Sequence, residues 1–163
     1  MVLTHLILND QIKARTQISK IAFLLVDSDE EVQQMAKLFF VSLSGRNQND
    51  IYNVVPDAIS RLSSDTKKRL PKNGFQTIMR FLLSFVQKER NSETLMQKLA
   101  MRFGRTAVEK TWVDLAYCCA QLPVNDRALK KLLETNTWRA LQPSLGNEQV
   151  SFCIFALLFF DYC

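Results

Sequence analysis

The chain has 163 residues, 47% of them apolar and 23% charged, with only 4 glycines and 4 prolines. These figures exclude two large domains, an unfolded polyelectrolyte and a run of many short strands joined by turns, and they favour helix. Twenty-one Lys and Arg against 16 Asp and Glu give a net charge of +5, an excess that admits an acidic partner such as nucleic acid without selecting one.

The opening residues, MVLTHLILND, lack the charged leader, long apolar core and small-residue cleavage site of a signal peptide, and they read as a cut into a helix. From Thr16 to Val26 the apolar positions Ile18, Ile21, Ala22 and Leu25 trace one helix face. Asp27-Ser28-Asp29 breaks that helix, and its Asp pair can end one helix and cap the next. Ser28 is the expected N-cap of the next, Asp29, Glu30 and Glu31 suit the positive end of its dipole, and Gly45 stands in the position of a C-terminal cap. Between them Val32, Met35, Ala36, Phe39, Phe40 and Leu43 form a second amphipathic face.

The next element, Asp50 to Ser63, contains Pro56 and is expected to kink or break there. Residues 64–74 join turn formers to a basic cluster and read as an exposed loop. Phe75 to Gln87 is a helix apolar almost all round, so it must be covered on more than one side. Ser92 with Glu93 opens another that ends at Gly104; Thr106 to Leu122 gives the next, and Asn125 caps a short one through Glu134. From Phe152 to Phe160 the chain is uninterruptedly apolar. That is far short of the roughly 20 residues of a membrane span, and it reads as a buried closing helix, with a tail-anchor fragment or a non-native end as alternatives.

The sum is about eight helices of roughly 10 to 17 residues with short polar connections. An apolar helix that runs into Asp-x-Asp, followed by a helix with Val32 at its start and Ala36 four residues on, is the mark of a HEAT-type repeat. The expected fold is therefore all-α, with HEAT-like antiparallel helix pairs stacked as an α-solenoid. Such a repeat array leaves apolar faces open at its ends, and the isolated chain is expected to self-associate.

Signals for catalysis are absent from the sequence. His5 is the single histidine and has no acid or thiol at relay spacing, and no phosphate-cradling loop, nucleophile elbow or zinc-protease motif occurs. Cys118, Cys119, Cys153 and Cys163 show no metal-ligand spacing, so reduced thiols that pack as small hydrophobes are expected, and neither cofactor nor metal. The basic residues hold more promise. Residues 65–110 carry 11 basic and 4 acidic residues, with Lys67, Lys68, Arg69 and Lys72 in the loop and Lys98, Arg102 and Arg105 at i, i+4, i+7. Convergent charge of this kind binds phosphates for affinity rather than sequence; a solvated face and a nuclear import signal are the competing readings.

Six segments carry a family resemblance: LTHLILND (3–10), MAKLFFVSLS (35–44), IYNVVPDAISRLS (51–63), TIMRFLLSF (77–85), LMQKLAMRF (95–103) and DLAYCCAQLPVNDRALKKLLE (114–134). In this order they resemble the C-terminal half of the condensin complex subunit 1 family, the HEAT-repeat, non-SMC regulatory subunits of condensin I. The resemblance covers residues 2 to about 134 and implies two regions, a helical repeat region (1–134) and a divergent apolar tail (135–163). It implies a fragment, partial product or reduced relative of a much longer subunit. The role it implies is a non-enzymatic one in mitotic chromosome condensation, in the nucleus and on chromosomes, cytoplasmic for part of the cell cycle. The implied partners are the kleisin, the SMC ATPase heads, where the ATP hydrolysis resides, and DNA or chromatin, with no membrane and no small-molecule substrate. Two other readings compete: a generic HEAT-like protein adaptor without nucleic acid, and an enzyme with an unfamiliar helical site, for which the sequence offers no constellation.

Overall fold

A computed structural model describes residues 15–46, 48–64, 70–71 and 73–159. Among the described residues there are helices and turns but no strand. The helices, in order, are α1 (Arg15–Phe23), which tightens into a 3-10 turn (Leu24–Val26), α2 (Glu30–Arg46), α3 (Gln48–Ser64), α4 (Gly74–Leu83), α5 (Glu89–Phe103), α6 (Glu109–Ala120), α7 (Asp126–Leu133), α8 (Thr135–Leu141), a second 3-10 turn (Gln142–Ser144), and α9 (Glu148–Phe159). Helices joined by short connections pack on one another, in the manner of HEAT and armadillo stacked-helix folds. The chain divides into two compact units, with the boundary between Phe85 and Val86.

In the first unit α3 is the hub, packed by α1, α2 and α4. Ile18, Ala22 and Leu25, Phe39, Phe40 and Leu43, and the Val54, Val55, Ala58 and Ile59 face of α3 are all buried, with α1 and α2 each packed on α3. Phe40 stands edge-on to Phe39 with ring centroids 5.1 Å apart and to Phe81 at 6.2 Å, a geometry that aligns ring edges with ring faces.

The Asp pair ends one helix and caps the next as expected, but Ser28 is not the N-cap. Asp27 Oδ1 accepts the Asp29 N–H at 3.1 Å, a local turn that delays the helix start by one residue. Asp29 then takes the N-cap, its Oδ1 accepting the Glu31 N–H at 2.8 Å and the Val32 N–H at 3.5 Å, while the Ser28 hydroxyl only reaches Asp27. Gly45 does not end α2, which runs to Arg46, and no described glycine has positive φ, so the left-handed cap conformation is not used. Pro56 does not break α3. It removes one hydrogen bond, but the buried faces before and after it hold the helix together as a single element. α4 stops at Leu83 rather than Gln87, where the Ser84 hydroxyl donates to the Phe81 carbonyl at 2.7 Å and competes with the next helical bond. Its Phe75, Ile78, Met79, Leu82 and Leu83 are buried while Thr77, Arg80 and Ser84 keep one polar strip in water.

In the second unit α5 is the hub, packed by α6, α7 and α8, and α9 lies on α6. Leu95, Met96, Leu99, Ala100 and Phe103 of α5 are fully buried. Ser92 and Glu93 do not open this helix, which begins a turn earlier at Glu89. Both sit inside it with long-range partners: the Ser92 hydroxyl donates to the Pro123 carbonyl at 2.8 Å and Glu93 Oε1 accepts from Asn125 Nδ2 at 3.2 Å. Gly104 is the C-cap as expected. α6 starts at Glu109, later than Thr106, because the Thr106 hydroxyl accepts the Val108 N–H at 3.2 Å and holds that stretch in a turn. Asn125 caps α7, its Oδ1 accepting the Ala128 N–H at 2.8 Å.

Residues 135–159 fold as α8, a turn and α9. The closing helix is only half covered: Val150 and Ile154 are buried, whereas Phe152 is 74% and Phe155 57% exposed. No helix among the described residues is long and apolar enough to cross a membrane.

Candidate functional site

Of the basic residues singled out in the sequence, Lys67, Lys68, Arg69 and Lys72 lie outside the described residues. Lys98 and Arg102 stand one turn apart on α5, opposite its buried stripe, Lys98 exposed and Arg102 half-buried. Arg105 is not on that helix face, because α5 ends at Phe103. Gly104 keeps a right-handed conformation (φ −72°, ψ −7°) and the Arg105 N–H donates to the Arg102 carbonyl at 3.0 Å, so the chain makes one more tight turn and leaves Arg105 exposed beside the helix end. Cations at a helix C-terminus are favoured by its dipole, which explains the residue type without a ligand.

The structure adds a residue that the spacing could not show. Gly104 abuts Ala140 of α8, and the exposed Arg139 precedes Ala140, so α8 contributes a further cation near the same end of α5. One residue before Lys98, Gln97 Nε2 donates to Glu134 Oε2 at 3.2 Å, which brings an acid against α5 there. The polar network beneath it is structural. Glu93 is buried and holds Asn125 at 3.2 Å and the Lys131 ammonium at 3.8 Å, tying α7 to α5.

Cys118, Cys119 and Cys153 are free thiols. Burial, helped by neighbouring Cys119 and Asp114, pushes the Cys118 thiol well up; burial, with Cys153 adding, pushes Cys119 up to about 12; and burial raises Cys153. Cys118 and Cys119 are thus held as thiols and pack inside α6 as small apolar groups. Among the described residues no group of three or more His, Cys, Asp or Glu could hold a metal ion. His5 and Cys163 lie outside the described residues.

A family model described as non-SMC mitotic condensation complex subunit 1 matches residues 1–120. The chain belongs to the condensin complex subunit 1 family. It is 44% identical over 134 residues to condensin complex subunit 1 of Homo sapiens, covering 82% of this chain and 9% of that protein. To condensin complex subunit 1 of Xenopus laevis it is 42% identical over 132 residues, 81% of this chain and 10% of that protein. Condensin-1 complex subunit CAP-D2 of Arabidopsis thaliana is 36% identical over 151 residues, 93% of this chain and 10% of that protein. The chain thus spans about a tenth of the length of these curated relatives. No solved structure matches it.

Proposed function

We propose that this chain is a non-catalytic scaffold and regulatory element of a condensin complex, supporting mitotic chromosome condensation in the nucleus and on chromosomes. The observation that carries the reading is the 44% identity to condensin complex subunit 1 across four-fifths of the chain, since 82% of it aligns. Helices with buried inner faces and thiols kept protonated suit a surface that is held rather than one that makes bonds. Its partners are the kleisin and the SMC ATPase heads, to which the hydrolysis belongs. Co-expression with the remaining condensin subunits tests this: the chain should co-purify with the kleisin, and its consistent absence from that complex overturns the reading.

DNA or chromatin contact belongs to the same proposal, through Lys98, Arg102 and Arg105 together with Lys67, Lys68, Arg69 and Lys72. Titration of a fluorescent duplex at several salt concentrations checks it. Affinity should fall steeply with salt, and Lys98→Ala/Arg102→Ala/Arg105→Ala should lower the logarithmic slope by about 0.9 for each phosphate that is no longer neutralised. Absence of binding at low salt removes the nucleic-acid contact and leaves the second reading, a HEAT-like protein adaptor. One observation favours that alternative: Met35, Leu38 and Val41, three residues apart on α2, are 51%, 65% and 52% exposed and form an apolar stripe open to another protein.

A further inference from the structure

In the second unit, where the first turn of α6 faces the turn that leads into α9, there is a cavity of about 680 Å³ whose lining includes Glu109, Lys110, Trp112, Pro143, Asn147 and Glu148. That volume is in the range of ligand sites, about 300–1,000 Å³, and the cavity is a cleft open to solvent. Its aromatic wall is fixed. Trp112 Nε1 donates to both the Phe103 carbonyl at 3.1 Å and the Thr106 carbonyl at 3.0 Å, so the indole cannot swing away without breaking two hydrogen bonds.

The charge of the lining is negative once existing pairs are removed. Lys110, the one cation of the lining, is paired with Asp114 at 3.3 Å, so its charge is offset by an acid outside the lining. Asn147 is occupied as the α9 cap, its Oδ1 accepting the Gln149 and Val150 N–H groups at 3.1 and 3.3 Å. Glu109 and Glu148 remain, exposed and with no side-chain hydrogen bond or ion pair to any described residue. The helix dipole accounts for an acid in each first turn; it does not account for both acids lining one cavity beside a fixed indole.

This combination selects its ligand by chemistry. Two carboxylates repel phosphate, and a chain of net charge +5 has no bulk attraction for cations, so a cation that binds must be held locally. A guanidinium is flat enough to stack on indole and carries donors enough for two carboxylates, which an ammonium cannot match. We propose that this cavity docks an arginine-bearing segment of a partner protein, its guanidinium held by the Trp112 ring and the Glu109 and Glu148 carboxylates.

The test is fluorescence anisotropy of a fluorescein-labelled peptide of arginines alternating with glycine and serine, titrated with the whole chain, beside the same peptide with citrulline in place of arginine. The arginine peptide should saturate, and the neutral, isosteric citrulline peptide should bind at least about tenfold more weakly. Glu109→Gln/Glu148→Gln, at exposed positions that leave the far-UV circular dichroism unchanged, should weaken the arginine peptide by about tenfold as well. Glu30→Gln/Glu31→Gln, which removes an acidic pair on α2, should leave it unchanged. Equal affinity for the two peptides, no binding of the arginine peptide, or a loss that follows Glu30 and Glu31 instead of Glu109 and Glu148 overturns the proposal.

Discussion

Gly104 and Ala140 meet so closely that a methyl group on Gly104 would lie 3.3 Å from both Cα and Cβ of Ala140. The glycine is therefore required by space and not by conformation, since its φ of −72° suits any residue. Gly104→Ala would stiffen the unfolded chain, worth about 0.4–1 kcal/mol, but would press on backbone that cannot swing aside, at about 1–3 kcal/mol. The expected result is a net loss of about 1 kcal/mol in urea unfolding, and a variant as stable as the parent would mean that α8 backs away freely.

The two candidates for the α2 cap are separable. Asp29→Ala removes the acceptor of the Glu31 and Val32 N–H groups and should cost about 1 kcal/mol. Ser28→Ala should cost a few tenths of a kcal/mol at most, because the hydroxyl caps nothing. Equal losses in thermal melts of the two variants would contradict the cap assignment.

Asn125 does two jobs with one side chain, capping α7 through Ala128 and supporting the buried Glu93 carboxylate. Asn125→Ala should therefore exceed an ordinary cap deletion and cost about 2 kcal/mol, since a buried charge loses a donor as well. Equilibrium urea unfolding measures it. A loss confined to a few tenths of a kcal/mol would show that solvent replaces both bonds.

The buried thiols make stability depend on alkaline pH. Burial, with Cys153 adding, moves the Cys119 thiol from 9.0 to about 12, so above the lower value the unfolded chain releases a proton that the folded chain keeps. The unfolded state is then favoured as pH rises, at about 1.4 kcal/mol per pH unit for this group until the folded thiol itself ionises. Cys119→Ala removes that contribution, and its urea midpoint should fall less steeply than the parent's between about pH 9 and about pH 11. Parallel curves would rule out a buried, protonated Cys119.

What was legible in the sequence was whatever is decided within a turn or two of chain. The apolar faces of α1 and α2 follow from 3.6-residue spacing, except that Met35, expected on the buried face of α2, is 51% exposed, and Asn125 and Gly104 cap where their neighbours end. Ser92 and Glu93 misled because their partners, Pro123 and Asn125, come from another element, and a residue that satisfies a distant carbonyl looks in sequence like one that satisfies its own helix. Pro56 misled for the opposite reason: the penalty is local, but the packing that outweighs it comes from elements on both sides of α3. The same limit governs the surface. Lys98 and Arg102 were placed by periodicity, Arg105 fell off the helix by two residues, and Arg139 joined the region only through the contact at Ala140. The Trp112 cavity could not be foreseen, because more than half of its lining residues come from the turn before α9 and the first turn of α9.

Trp112 and Trp138 are the two tryptophans of the chain, and both lie beyond the Phe85–Val86 boundary. Indole emission is accordingly a one-sided lamp: it illuminates the second unit and is blind to the first, whereas backbone ellipticity weighs both. Superimposed on one temperature axis, the two signals become a meter of cooperativity, coinciding when the units melt as one and parting by however many degrees separate them.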